Sequence, residues 1–416
     1  MSPRRTTDER HAHLGSLDLS SGRSIHAGAR LLAIMLISWL AGVQAQAQDA
    51  FYAAMPAEML GKAGTLVRSE AIKPPPGASA AYRILYRSPG LRNEPIVISG
   101  VVIVPDGPAP ASGRPIVAWG HGTTGVARHC APSLDPNQFD KISGLGDFLK
   151  HGFVVVATDY PGLGTSGMHP YLIGFSQGRA IIDAVRAART MPNAQAGKRV
   201  VIWGYSQGAH AALFTGQIAK TYAPELTLVG IAAAAPPTEL GSLIRADVGG
   251  LVGRVLSTFA LWSWSHLYDI PIESAVDKRV IKTLPRIADS CTETSQDKLN
   301  LVMADQAFEQ NGFLSHDVTV TEPWRSLIEN NTPGITPPGV PIFLAQGSAD
   351  TIVVPLITEL YSDELCSHHR PVRFVLISGA DHQAMANAAT KLAMAWIVDR
   401  FDGLPPPNDC GAASAH

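Results

Sequence analysis

Charge is scarce in this chain and shows no excess of either sign. Only 16% of the 416 residues are Asp, Glu, Lys or Arg, and 33 basic against 35 acidic residues leave a formal net charge of −2. That balance supplies neither the basic field that holds nucleic acid nor a polybasic run for an anionic membrane surface. With 46% hydrophobic residues it also excludes disorder for the bulk of the chain and predicts a large core. Neutral small molecules are the expected partners. Cysteine is rarer still, with four residues at Cys130, Cys291, Cys366 and Cys410 and no C-x-x-C spacing. Zinc and thioredoxin chemistry are therefore not expected, and no metal site is predicted. An even number fits disulfides formed in an oxidising compartment, and the expected pairs are Cys130 with Cys291 and Cys366 with Cys410.

Long hydrophobic runs are missing as well. The one candidate, Leu31–Val43, falls short of the about 20 residues a membrane span needs. It follows Arg23 and Arg30 and precedes Ala45-Gln46-Ala47, so residues 1–47 read as a secretory signal with an A-x-A cleavage site, with an uncleaved N-terminal anchor as the alternative. The expected localisation is secreted or periplasmic. No repeat of domain scale is present, and low complexity is confined to Pro74–Ala81 and a polar tail over 404–416.

Short β-branched runs at Gly64–Ser69, Tyr82–Arg87 and Pro95–Pro105, separated by Pro and Gly turns, predict an antiparallel lead-in. Unbroken apolar runs then begin at Pro115, Phe153, Val200, Leu228, Pro341 and Val372, as strands buried on both faces of a parallel sheet require. Helix-like segments lie between them, at Gly178–Arg189, Ala209–Thr221 and Ala384–Phe401. Alternation of this kind gives an α/β fold with a mostly parallel, doubly wound sheet. One stretch from Pro236 to Val340 breaks it, too long for a structureless loop and rich in helix-like apolar sequence such as Leu251–Tyr268. The expected organisation is a core over 48–237 and 336–403 with a helical cap over 238–335, set above the carboxyl edge of the sheet.

Residues 199–210 carry the chemistry: a strand-like run ends in Gly204-Tyr-Ser206-Gln-Gly208, and a small-residue helix follows. A serine hydroxyl needs a base during attack, and the base needs an orienting carboxylate. Asp350 and His382 close the next two strand-like runs at the same sheet edge, and Ser, Asp, His is the chain order expected of an α/β-hydrolase. For the developing oxyanion, the backbone amides of Gln207 and Thr123 are expected donors, with Gly122 as the alternative to Thr123. Rivals exist at Ser176, which sits in a second Gly-x-Ser-x-Gly without a strand and reads as a helix N-cap. Asp381 competes for the acid role, and His210, His368 and His369 read as packing or surface histidines. Asp159 in Asp159-Tyr-Pro-Gly-Leu-Gly164 reads as a turn residue bonding nearby amides.

Taken together, His121-Gly-Thr-Thr-Gly125, Cys130-Ala-Pro132, Asp159-Tyr-Pro-Gly-Leu-Gly164, Gly204-Tyr-Ser-Gln-Gly208, Gln346-Gly-Ser-Ala-Asp350 and the late His382 resemble the secretory lipases typified by fungal lipase A enzymes and their bacterial relatives, over roughly 50–403. The resemblance implies a carboxylic ester hydrolase with a helical lid, a triad at Ser206, Asp350 and His382, and no cofactor. The chain departs from many relatives in carrying Ala209-His210 where a further glycine often follows the elbow. The expected substrate is a neutral ester or lipid, in an acyl pocket roofed by Leu261, Trp262 and Trp264, the alternative being a cap that only shields the site with its aromatics packed inward, and the cap is where a transient contact with a lipid interface would fall. A serine peptidase or amidase on the same fold, or a non-catalytic hydrolase-like binding protein, are the alternatives.

Overall fold

Runs of β-branched residues become strands wherever both their faces can be covered. In this computed structural model, which describes residues 50–411, nine strands form one sheet. The predicted signal over 1–47 lies outside the described residues, as do residues 412–416. The strands are β1 (Leu66–Ile72), β2 (Ala78–Pro89), β3 (Pro95–Pro105), β4 (Arg114–Gly120), β5 (Val154–Thr158), β6 (Ala196–Tyr205), β7 (Thr227–Ala234), β8 (Ile342–Gly347) and β9 (Val372–Ile377). Their order is β1-β2-β3-β5-β4-β6-β7-β8-β9. The first three are antiparallel, β3 meets β5 antiparallel, and every pair from β5 onward is parallel. The chain is thus an α/β-hydrolase fold.

After a one-turn helix at Pro56–Met59, the chain forms α1 (Leu145–Lys150), α2 (Gly174–Thr190), α3 (Gln207–Tyr222), α4 (Leu240–Asp247), α5 (Leu251–Tyr268), α6 (Leu284–Ala288), α7 (Ser295–Asn311), α8 (Trp324–Asn330), α9 (Pro355–Ser367), α10 (His382–Ala388) and α11 (Thr390–Asp402). On one face of the sheet Ile116, Val154, Val200, Ile202 and Leu344 pack with Ala180, Ile181 and Val185 of α2 and Leu213 of α3. On the other, Val117, Val155, Val201, Trp203 and Phe343 pack with Phe148, Met394, Ile397 and Phe401. Odd and even positions of one strand feed opposite cores, so the apolar runs show no alternation.

Between β7 and β8 the chain runs through α4 to α8 and builds a third cluster, with Phe259, Trp264, Val280, Ile287, Phe308 and Trp324 all buried. Inside it the Arg254 guanidinium donates to Asp305 at 2.7 Å, both residues almost fully buried. Two expectations change in detail. The final helix is two, because Asp381 caps α10 by accepting from the Ala384 amide at 2.8 Å and a break at Ala389 separates α10 from α11. Ser176 is not an N-cap: α2 starts at Gly174, whose amide donates to Asn331 Oδ1 at 3.1 Å, which leaves Ser176 within the helix with its hydroxyl buried and, among the described residues, without a hydrogen-bond partner.

Candidate active site

Parallel strands end at one edge, and this brings Ser206, Asp350 and His382 together from the ends of β6, β8 and β9. Ser206 sits between β6 and α3 with φ 51° and ψ −118°, outside the regions an L-residue prefers. Glycines make the turn possible. A Cβ at Gly204 would lie 2.1 Å from the Gly208 carbonyl oxygen, and one at Gly208 would lie 1.9 Å from that of Gly120 on β4. The Ser206 amide donates to the Ala234 carbonyl at 2.9 Å, which ties the turn to β7 and leaves the hydroxyl at the sheet edge.

His382 Nε2 lies 2.9 Å from Ser206 Oγ, and Nδ1–H donates to Asp350 Oδ2 at 2.8 Å. Asp350 is held in turn. Its Oδ1 accepts from the amides of Ile352 and Val353, both at 2.9 Å, and its Oδ2 also accepts from Gln346 Nε2 at 3.1 Å. Gln346 is itself fixed by Thr358 Oγ1 at 2.8 Å. Because the carboxylate accepts the hydrogen bond from Nδ1–H and so keeps the proton on Nδ1, Nε2 is left with its lone pair toward the hydroxyl, the tautomer a general base needs. Asp381 points elsewhere, as the cap of α10.

Thr123 and Gln207 flank the same edge, and a three-residue segment touches both. Tyr171 OH and Thr123 Oγ1 share a hydrogen bond of 2.7 Å, while His169 Nε2 accepts from Gln207 Nε2 at 3.0 Å. His169 Nδ1–H donates to the Pro161 carbonyl at 2.8 Å, and burial lowers its pKa to about 3, which keeps the ring neutral and its Nε2 an acceptor. The segment is gripped from α5: Trp264 Nε1 donates to the Tyr171 carbonyl at 2.7 Å, and Ser263 Oγ both donates to the His169 carbonyl and accepts from the Tyr171 amide. Thr292 donates from Oγ1 to the Thr123 carbonyl at 2.8 Å, next to Cys291, which is bonded to Cys130. The other bridge is Cys366 to Cys410.

Asp159 is more than a turn residue. It is buried and accepts from the Ser133 amide at 2.9 Å, the Ser99 hydroxyl at 2.6 Å and the Ser133 hydroxyl. Burial still pushes its carboxyl above the usual range. His210 is buried on α3 and donates from Nε2 to the Asn331 carbonyl at 2.7 Å, with burial lowering its pKa to about 4. His368 and His369 follow α9, away from the serine. Nothing in the sequence around His169, Tyr171 or Thr292 marks them, since their partners are distant along the chain.

Ser206 separates two spaces. A narrow apolar one of about 60 Å³ is lined by Leu240, Ile244, Leu256, Ala260, Trp264 and Val353. A wider one of about 430 Å³ is lined by Thr123, Ser133, Gln138, Lys141, Glu293 and His382, among others. The expected roof needs correction. Residues 252, 256, 260 and 264 recur every four positions and turn one face of α5 toward Ser206. Leu261 is instead buried within the third cluster, and Trp262 packs against His266 with the rings tilted by 46°, so neither lines these spaces.

A model of the secretory lipase family matches residues 136–409. Lipase A of Moesziomyces aphidis is 25% identical over 355 residues, covering 80% of this chain and 74% of that protein. A protein of Mycobacterium tuberculosis named a probable inactive lipase is 21% identical over 361 residues, covering 82% and 79%. Among solved structures, Candida antarctica lipase A superposes with a TM-score of 0.73 at 22% identity, covering 87% of each chain.

Proposed function

The chain belongs to the secretory lipase family, and we propose that it is an exported serine carboxylic-ester hydrolase, with no cofactor, acting through an acyl-enzyme on Ser206. One observation carries this reading: the unbroken relay from Ser206 Oγ through His382 to Asp350, at 2.9 and 2.8 Å, on a strained strand-to-helix turn. In the reaction, Oγ attacks the ester carbonyl while His382 Nε2 takes its proton. The oxyanion is stabilised by the amides of Thr123 and Gln207, each donor worth about 3 kcal/mol in related sites. Collapse breaks the bond to the alcohol oxygen, which receives the proton from His382, and water then repeats the sequence to release the acid.

The same geometry orients the substrate. The leaving oxygen must face His382, and His382 lines only the wider of the two spaces. The alcohol therefore departs through the wide side and the acyl chain occupies the apolar side beneath α5. Residues 238–335 act in this reading as the cap, and 48–237 with 336–403 as the core. Export rests on the segment 1–47 and suits two disulfides. A complete triad weighs against a non-catalytic binding protein, although one relative is named inactive. The test is labelling with a fluorophosphonate followed by peptide mapping. Modification at Ser206, together with hydrolysis of p-nitrophenyl butyrate, supports the assignment, and modification at Ser176 or nowhere overturns it.

A further inference from the structure

The strands of a parallel sheet have two ends, and the triad occupies only one of them. At the amino edge, opposite Ser206, Asp350 and His382, a cavity of about 430 Å³ opens between the starts of β4 and β6, the approach to β5 and the end of α11. β4 runs from Arg114 at this edge to Gly120 at the other, which separates the cavity from the triad by about 20 Å. Its lining brings Arg114, Lys198 and Arg199 together against a single carboxylate, Asp402. Arg114 is only 4% exposed, so bulk water cannot solvate its charge as it would at an open surface. The protein does not neutralise it either, since among the described residues Arg114, Lys198 and Arg199 form no ion pair with a carboxylate. Arg114 Nη2 donates to the Gly107 carbonyl, and Nε is sealed from solvent with no partner among the described residues. Nη1 also has no partner there but, unlike Nε, keeps contact with solvent, and it stands 4.0 Å from the place a Cβ on Gly152 would take. Gly152 lines the cavity, and its missing side chain leaves that nitrogen reachable from it. Arg199 spends Nη2 on the Arg400 carbonyl at 3.1 Å, and Lys198 is exposed at the rim. Buried guanidinium groups are ordinarily matched by an anion held in their planar fork.

We propose that this cavity binds a phosphate group, with Arg114 at its floor and Lys198 and Arg199 at its rim. Three cations facing Asp402 match a phosphate dianion, whereas one bound carboxylate would leave positive charge uncompensated. Cations gathered in a single cavity, with no basic stripe leading away and a chain of net charge −2, select one phosphate and not a nucleic-acid backbone. The same group is carried by inorganic phosphate and by the headgroup of phosphatidate. The site is independent of the ester chemistry, which takes place at the other edge of the sheet.

The test is calorimetric titration of the full chain with inorganic phosphate at constant ionic strength, alongside co-sedimentation with phosphatidylcholine vesicles containing phosphatidate. Saturable binding of one phosphate per chain is expected, and Arg114→Gln should weaken it by about tenfold or more, the worth of a charge-assisted hydrogen bond. Lys198→Gln combined with Arg199→Gln, at the rim, should weaken it by at least about threefold and supplies a folded variant if Arg114→Gln does not fold. Lys141→Met, which removes the cation beside Ser206, should leave the affinity unchanged. Binding of inorganic phosphate without the vesicles assigns a free phosphate, and vesicle binding that these same cavity variants abolish assigns the headgroup. Absence of saturable binding by both probes, an affinity unchanged in the folded cavity variants, or its loss in Lys141→Met overturns the site.

Discussion

The sheet and the helical segment between β7 and β8 hold their side chains by different means. At the sheet edge, backbone does it: Gly120, Gly204 and Gly208 approach so closely that no side chain fits, and Ser206 is fixed in a turn with φ 51°. In the helical segment, side chains do it, through Arg254 with Asp305, Ser263 and Trp264 with residues 169–171, and Thr292 with Thr123. A backbone-held site depends on a few glycines and on strand order. A side-chain-held one can be retuned by substitution without altering the path of the chain.

The largest effect is expected of Ser206→Ala. Turnover of p-nitrophenyl butyrate should fall by a factor on the order of 10⁶, with the urea midpoint nearly unchanged, because the sheet edge is set by backbone. A folded variant retaining a few per cent of activity would remove Ser206 from the nucleophile's role. Next in size is Asp305→Ala, which leaves the Arg254 guanidinium with the Gly249 carbonyl at 2.9 Å and Glu309 at 3.6 Å and should cost about 3 kcal/mol in urea unfolding. A loss under about 1 kcal/mol would mean that the helical segment does not rely on this pair.

His210 joins the two regions, since it lies on α3 and donates to Asn331 at the end of the segment. Its pKa when folded is about 4, below the ordinary 6.5. The unfolded chain therefore binds this proton first as pH falls, so the stability this neutral ring contributes is fully present above 6.5 and is lost toward 4, at about 1.4 kcal/mol per pH unit. Urea unfolding of the wild type between pH 7 and 4.5 should accordingly show a steeper loss than His210→Gln. Identical slopes would place the protonated ring in contact with water. The smallest effect concerns chain length. Each acyl methylene buried under α5 is worth about 0.8 kcal/mol, so kcat/KM should rise from acetyl to butyryl p-nitrophenyl esters and fall by palmitoyl, where the apolar space is exceeded. A profile falling steadily from acetyl would detach α5 from the acyl group.

The same division explains what could be read in advance. Strand-forming runs, the glycines around Ser206 and the order of Asp350 and His382 are local signals, and all three residues meet at one edge. The helix over 251–268 was legible too, but not which of its faces turns toward Ser206, because apolar residues surround it and periodicity gives no preferred side. Hence Trp264 lines the apolar space while Trp262 does not. The partners of Asp159 at Ser99 and Ser133, and of Gln207 at His169, lie dozens of positions away and leave no spacing to detect.

The segment His169–Tyr171 bears on how such a protein can be recombined. Its carbonyls are gripped by Ser263 and Trp264, and its side chains in turn grip Gln207 and Thr123. The helical segment and the sheet are therefore not interchangeable modules, even though their junctions in the chain are simple. A chimaera that imported α5 from a relative while keeping the native 169–171 would join two halves of a lock cut for different keys. Exchange has to carry both pieces together, and the unit of inheritance here is a contact, not a contiguous stretch of sequence.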